Sequence, residues 1–135
     1  MAVPTNAFRA AVEAGDHHGI SQLLAEQVTF LSPVAFSPYR GREMVAAILR
    51  GAGRVFSDFR YEREIRSGDG RDIALVFRAR VGDREVHGCD FLRLDDTGLI
   101  EEFCVMVRPL SAANALSAAM AAQFQIVARE VSDSA

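Results

Sequence analysis

One acidic residue, Asp90, lies in a predicted strand whose other inward positions are apolar, and it is the first candidate for chemistry. Strand alternation assigns to its face the neighbours Val86, Gly88, Leu92 and Leu94. Burial raises the pKa of such a carboxyl group until it takes a proton or finds a hydrogen-bond donor. A protonated acid can donate a hydrogen bond to a ligand oxygen, whereas an ionised acid can accept a proton. Asp90 is therefore the candidate catalytic residue, and the alternative is a structural hydrogen bond to Ser32, Tyr39 or a backbone amide.

The other reactive side chains have no spacing typical of a catalytic or metal site. His17 and His18 begin a predicted helix and form no HxxxH pair, so exposed or capping roles are favoured. His87 is out of phase with the inward positions of its strand, which favours a rim or interface role. Cys89 and Cys104 share this outward phase and form no CxxC motif. The sequence therefore predicts neither a metal ion nor a cofactor.

The composition predicts one globular domain. The chain has 135 residues, of which 50% are hydrophobic and 24% charged, and its formal net charge is −3. It has no apolar run approaching the ~18 residues of a membrane span and no basic block for nucleic acid or an anionic membrane. Residues 1–5 lack the features of a secretory signal, and two lone cysteines suit a reducing compartment. We therefore expect a cytoplasmic protein with neither nucleic acid nor membrane as a partner.

Apolar periodicity predicts helices first and then strands. Helical spacing occurs over 8–12, 17–24 and 45–52, a first strand over 27–31, and further strands over 59–66, 73–81, 84–94 and 99–108. The turns between the last four strands are short, so these strands must be antiparallel neighbours. A final helix carries one apolar stripe, Leu116, Met120, Phe124 and Val127, and residues 131–135 are expected to fray. This order of elements is typical of an α+β fold.

Four segments resemble the nuclear transport factor 2-like (NTF2-like) superfamily, and within it the SnoaL-like branch of small bacterial domains. They are 8–16 (FRAAVEAGD), 41–45 (GREMV), 88–100 (GCDFLRLDDTGLI) and 107–109 (VRP). The resemblance covers about residues 5–124. It implies a cone in which a curved antiparallel sheet wraps over the N-terminal helices and encloses a pocket. Members of this superfamily include isomerases, hydrolases, cyclases and domains without catalysis, so the resemblance implies a fold more than a function.

The implied pocket would bind a small apolar molecule that carries a carbonyl or hydroxyl group. Tyr39 lies in a loop expected at the mouth of the cone, where its hydroxyl could touch a ligand. Besides Asp90, the expected ligand-binding residues are Phe8, Ser32, Tyr39, Phe77, Leu92, Phe103 and Val105.

The known catalytic sets of the superfamily are incomplete in this chain. The ketosteroid isomerases that it resembles use a tyrosine, a base and a second acid, which correspond here to Phe8, Ser32 and Asp90. In limonene epoxide hydrolases, an Arg-x-Asp and a late aspartate correspond here to 78–80 (RAR) and Val105. We therefore expect a binding protein. The alternative is an isomerase, cyclase or lyase acting on a steroid-, terpene- or polyketide-like substrate with Asp90 as acid or hydrogen-bond donor.

The outward face of the sheet predicts a homodimer. Its apolar positions are Ala74, Val76, Cys89, Phe91, Cys104 and Met106, and its charged positions are Arg78, Arg80, Arg93 and Glu102. An apolar patch of this size with charged margins is typical of an interface between subunits. Light scattering at micromolar concentration should give the mass of a dimer, and a monomer would contradict the expectation.

Overall fold

Residues 6–134, which the computed structural model describes, form a curved six-stranded sheet and four helices. The elements are α1 (Ala7–Glu13), α2 (His17–Leu23), β1 (Leu24–Leu31), β2 (Tyr39–Arg40), α3 (Arg42–Val55), β3 (Ser57–Arg66), β4 (Asp72–Val81), β5 (Arg84–Leu94), β6 (Ile100–Arg108) and α4 (Leu110–Ser134). The predicted α+β cone is confirmed. Residues 1–5 and 135 lie outside the described residues. The prediction about a secretory signal, and part of the prediction about a frayed end, concern these residues.

The strand order is β2-β1-β6-β5-β4-β3. The predicted meander of four antiparallel strands, β3 to β6, is confirmed, because each connection is a short turn. The sheet as a whole is mixed, since β1 pairs in parallel with β6 across the sheet. The predicted loop before α3 contains the short strand β2, in which Tyr39 pairs with Phe30 of β1.

Two element boundaries differ from the sequence prediction. Leu24, assigned to the second helix from its spacing, begins β1, pairs with Ile100 and is fully buried. Pairing with β6 therefore outweighs helical periodicity at this position. The final helix is also longer than expected, because α4 continues through residues 131–134 to Ser134.

Helices α3 and α4 pack closely and close one side of the cone. Gly51 makes the approach possible, since a Cβ there would lie 3.3 Å from a methyl group of Val127. Polar contacts lie beside this point: Arg50 Nε is 2.6 Å from a carboxylate oxygen of Glu130, and Arg54 Nε donates to Gln123 Oε1 at 2.8 Å. The position of α4 therefore depends on both packing and charge.

The outward face of the sheet carries the apolar residues that strand alternation predicted for it. Phe91 is 41% exposed and Met106 59% exposed, while Cys89 and Cys104 are partly buried. His87 also lies on this face, with Nε2 3.3 Å from a carboxylate oxygen of Glu62. Among residues 6–134, no helix is long and apolar enough to span a membrane.

Candidate functional site

A cavity of about 690 Å³ lies between the inner face of the sheet and the helices. It is lined by Asp90 and by most of the residues predicted from the sequence: Phe8, Ser32, Tyr39, Phe77, Phe103 and Val105. Leu92, for which a ligand contact was also expected, is not among the residues that line this cavity. Its side chain faces inward as expected, but it is buried in the core, where it pairs across the sheet with Ile73 and Phe103.

Asp90 is held by a tyrosine on a distant strand. Tyr61 Oη of β3 donates a hydrogen bond to Asp90 Oδ2 at 2.9 Å. Both residues are buried, with 6% of Asp90 and 8% of Tyr61 exposed. The inward orientation predicted for Asp90 is therefore correct, but the expected partners are wrong. Ser32 and Tyr39 line the same cavity without bonding to Asp90, since Ser32 Oγ accepts from the Val34 amide instead.

The second oxygen of the carboxyl group is available to a ligand. Asp90 Oδ1 has no hydrogen-bond partner within residues 6–134. In the same part of the chain, every side-chain oxygen that is fully buried has a hydrogen-bond partner, so Oδ1 is not fully buried. Oδ1 therefore retains contact with the cavity that Asp90 lines. One oxygen is thus fixed by the protein, and the other faces the space where a ligand would lie.

Tyr61 reaches Asp90 across β4, and a glycine on the strand of Asp90 makes room for the contact. Tyr61 pairs with Phe77 on β4, and Phe77 pairs with Gly88 on β5. A Cβ at Gly88 would lie 2.3 Å from Phe77 Cζ, so only glycine lets the Phe77 ring lie over β5. With that ring in place, the Tyr61 hydroxyl can extend across the inner face to the next inward residue of β5, Asp90.

Tyr61 faces inward by alternation with Phe59, and an irregularity in β3 follows it. The register shifts between Tyr61 and Arg63, and residues 62 and 63 are both exposed. Such a bulge breaks the alternation of a strand and redirects its side chains. Tyr61 is then fixed by neighbours, with Phe59 at 5.0 Å between ring centroids and the Arg9 guanidinium 5.8 Å from the ring. Its hydroxyl is therefore held in place before any ligand binds.

Burial raises the pKa of Asp90 to about 7, and the hydrogen bond from Tyr61 partly opposes this rise. The pKa of Tyr61 lies far above its usual value, first because the phenol is buried and then because of the charge on Asp90. Tyr61 therefore stays neutral and remains a donor at any ordinary pH. Asp90 exchanges its proton near neutral pH, so it can act both as a hydrogen-bond donor and as an acceptor.

Sequence reasoning missed several polar residues of this site. Tyr61 could have been identified from its spacing, since it is two residues from Phe59 and shares its strand face. Glu13, His17, Arg60 and Ser117 also line the cavity. His17 is exposed as expected, but its ring also packs near Gly53 at the cavity.

No group of three or more His, Cys, Asp or Glu side chains in the described chain is arranged to hold a metal ion.

Comparisons with known proteins identify a family and solved structures that are similar to this chain. A family model described as a SnoaL-like domain matches residues 5–103. A bacterial protein with a cystatin-like fold from Silicibacter pomeroyi is 40% identical, with a TM-score of 0.85 over 91% of this chain and 86% of that protein. A steroid delta-isomerase from Pseudomonas aeruginosa is 41% identical, with a TM-score of 0.80 over 92% of this chain and 96% of the isomerase. No curated protein matches the chain.

A more distant similarity supports the fold alone. The epoxide hydrolase/cyclase-like enzyme SalBIII, which has a role in pyran ring formation in salinomycin, is 18% identical. Its TM-score is 0.63, over 78% of this chain and 87% of that enzyme. The same cone of sheet and helices therefore occurs at low sequence identity.

Replacing Asp90 with Asn tests the electrostatics of the site. The pKa of an aspartate in the unfolded chain is about 4, whereas that of Asp90 in the native state is raised to about 7. Between these two values the native state keeps a proton that the unfolded state has lost. Wild-type stability should therefore fall as the pH rises through this window, by about 1.4 kcal/mol per pH unit at most. Asp90→Asn keeps an acceptor for Tyr61 and removes the charge, so it should match or exceed the wild type at pH 8. Denaturant unfolding from pH 5 to 9 measures this difference.

Two further variants make that experiment specific. Tyr61→Phe removes the donor that lowers the pKa of Asp90, so the pH window should move upward. Asp72→Asn, at an exposed position of β4, is the matched control and should leave the pH dependence unchanged. If Asp90→Asn is less stable than the wild type at every pH, Asp90 is an ionised structural residue instead.

Proposed function

We propose that this chain, which belongs to the SnoaL-like domain family, binds a small, mostly apolar molecule through a carbonyl or hydroxyl oxygen placed against Asp90. One observation carries the proposal: the buried Asp90 carboxyl receives a hydrogen bond from Tyr61 on one oxygen and faces an apolar cavity with the other. A buried ionisable group with a free polar atom is uncommon where a site has only a structural role.

The cavity suits a ligand of this kind in size and chemistry. Its volume of about 690 Å³ lies within the roughly 300–1,000 Å³ of pockets that bind small organic molecules. Much of its wall is aromatic or aliphatic, including Phe30, Ile48, Phe56, Phe103 and Met120. Burial of apolar ligand surface would supply most of the affinity, at about 25 cal/mol per Å². Asp90 would then set the orientation of the ligand.

The protonation state of Asp90 decides which ligand oxygen fits. When protonated, Asp90 can donate to a carbonyl oxygen from Oδ1 while Oδ2 accepts from Tyr61. When ionised, it requires a donor such as a hydroxyl group. Because burial places the pKa of Asp90 at about 7, both forms are available near neutral pH. Lower pH increases the protonated fraction of Asp90 and therefore favours binding of a ketone.

Binding without turnover is favoured because the positions that the family resemblance assigns to catalytic groups carry no base besides Asp90. Phe8, Ser32 and Val105 line the cavity at the positions where related enzymes carry catalytic groups. None of these side chains is basic near neutral pH. A general acid or base contributes about 10²- to 10⁴-fold in rate, so a missing base removes most of the expected activity.

An isomerase is the second candidate, favoured by the 41% identity to the steroid delta-isomerase of Pseudomonas aeruginosa. Asp90 would act as the acid, since its pKa lies near neutrality. A proton acceptor would also be needed. Glu13 and His17 also line the cavity and carry a carboxyl and an imidazole group. Either would have to approach the substrate from the mouth of the cavity.

Binding of a matched pair of probes tests the first candidate. We expect 2-acetylnaphthalene to bind roughly 5- to 10-fold more tightly than 2-isopropenylnaphthalene at pH 5.5, because one hydrogen bond contributes about 1 kcal/mol. This preference should disappear in wild type at pH 9. Asp90→Asn should retain it at both values, since its amide can donate, and Asp90→Leu should lose it at both. Fluorescence titration gives the affinities, and equal affinity for the two probes at pH 5.5 contradicts the proposal.

Turnover is tested separately with a 5-ene-3-ketosteroid. We expect no isomerisation above the uncatalysed rate when formation of the conjugated enone is followed by absorbance. Robust turnover that Asp90→Asn abolishes would establish the isomerase. In that case, Glu13→Gln and His17→Gln identify the base, because only one of them should remove the activity.

A further inference from the structure

The aromatic rings that line the cavity form two separate groups. The first ring group lies on β2, β1 and β6 and on the helices α1 and α4, and consists of Phe8, Phe30, Tyr39, Phe103 and Phe124. The second ring group lies on β3 and β4 and just after α3, and consists of Phe56, Phe59, Tyr61 and Phe77. Within residues 6–134, no ring of one group packs against a ring of the other.

The rings inside each group are closely packed. In the first ring group, the centroids of Phe8 and Phe103 lie 5.1 Å apart. In the second ring group, Phe59 stacks on Phe77 at 4.8 Å, and Phe56 lies 5.8 Å from Phe77. Centroid distances of this length are typical of aromatic pairs that stabilise each other. Each group is therefore a continuous aromatic wall, which a flat ligand group can extend.

Asp90 lies between the two walls because of the strand that carries it. The strand order β2-β1-β6-β5-β4-β3 places β5 between the strands of the first ring group and those of the second. Asp90 pairs with Val105 of β6 on one side and with Leu75 of β4 on the other. An oxygen atom held at Asp90 therefore has an aromatic wall in both directions across the sheet.

The two ring groups are also displaced in opposite directions along the strands. Phe77 aligns with Gly88, which is two residues from Asp90 toward the start of β5. Phe103 aligns with Leu92, which is two residues from Asp90 toward the end of β5. Two strand spacings amount to roughly 10 Å, and four residues along a strand amount to roughly 13 Å. A ligand with rings on only one side of its carbonyl group therefore reaches only one ring group when the carbonyl contacts Asp90.

The polar lining also favours an oxygen in the middle of the ligand. Asp90 is 6% exposed, whereas the other charged groups in the lining belong to exposed residues, Glu13, His17 and Arg60. Burial of apolar surface at either wall therefore meets no buried charge, and the buried acid lies between the walls.

We infer that the ligand carries its oxygen between two apolar arms, and that each arm packs against one ring group. The ligand is then a ketone or alcohol whose functional group lies inside the molecule and not at its end. This inference rests on the proposed function and adds the position of the oxygen to it. Flat, unsaturated arms fit best, because offset-stacked and edge-to-face contacts stabilise aromatic pairs.

Two isomeric ketones test the position of the oxygen. 4-Methylbenzophenone has its carbonyl group between two rings, whereas 4-acetylbiphenyl has both rings on one side of it. At pH 5.5, below the pKa of Asp90, 4-methylbenzophenone should bind about tenfold more tightly, because only this isomer contacts both ring groups. In Asp90→Leu the difference should disappear, since 4-acetylbiphenyl can then slide until its rings reach both groups. Calorimetric titration gives the dissociation constants.

Two variants and one matched control locate the arms. Phe56→Leu reduces the second ring group and Phe124→Leu the first, and both positions are partly buried. Each variant should weaken binding of 4-methylbenzophenone several-fold, whereas only one of them should weaken binding of 4-acetylbiphenyl. Phe91→Leu, on the outward face of the sheet, makes the same substitution away from the cavity and should change neither affinity. Unfolding curves of each variant confirm that it is folded.

Failure of this inference is distinguishable from failure of the proposed function. If the two isomers bind equally and both bind more weakly to Asp90→Leu, the acid holds the carbonyl group without a second arm, so the inference is wrong and the proposed function stands. If Asp90→Leu retains the preference for 4-methylbenzophenone, the shape of the cavity causes it and the inference is overturned. If Asp90→Leu weakens binding of neither ketone, both proposals are wrong.

Discussion

The hydrogen bond from Tyr61 to Asp90 is the interaction on which the site depends. An aspartate on the inner face of an apolar cone loses its hydration, and Tyr61 replaces part of it with one donor. A single neutral donor lowers the pKa of the acid without keeping it fully ionised, so Asp90 titrates near neutrality. Gly88 and Phe77 make the contact possible, because the ring occupies the space that a side chain at Gly88 would need.

The final helix contributes to the site beyond the region that identifies the family. The SnoaL-like match ends at residue 103, whereas α4 supplies Leu116, Ser117, Met120, Ala121 and Phe124 to the cavity wall. Close packing at Gly51 and the ion pair of Arg50 with Glu130 hold that wall against α3. The ligand that fits is therefore decided partly by a segment that family membership does not describe, which is why membership alone leaves the ligand open.

The strand β3 has two irregularities on either side of the residue that holds Asp90. One register shift lies between Ser57 and Arg60, and the second lies between Tyr61 and Arg63. Arg60 and Tyr61, which lie between the two shifts, keep the alternation of a regular strand, so Arg60 is exposed and Tyr61 is buried against the cavity. The two shifts change how β3 aligns with β4 without moving Tyr61 from the inner face.

Three features could be predicted from the sequence alone: the inward position of Asp90, the meander of β3 to β6 and the α+β class. Each follows from a local rule, because alternation has a period of two and short turns allow only antiparallel neighbours. The partner of Asp90, the burial of Leu92 in the core and the strand β2 were decided only by the tertiary structure. These depend on how strands far apart in the sequence align, and the alignment of β3 with β4 includes two register shifts that alternation alone does not predict. The sequence shows that a tyrosine stands at position 61, but only the pairing of β3, β4 and β5 in the folded sheet places its hydroxyl against Asp90.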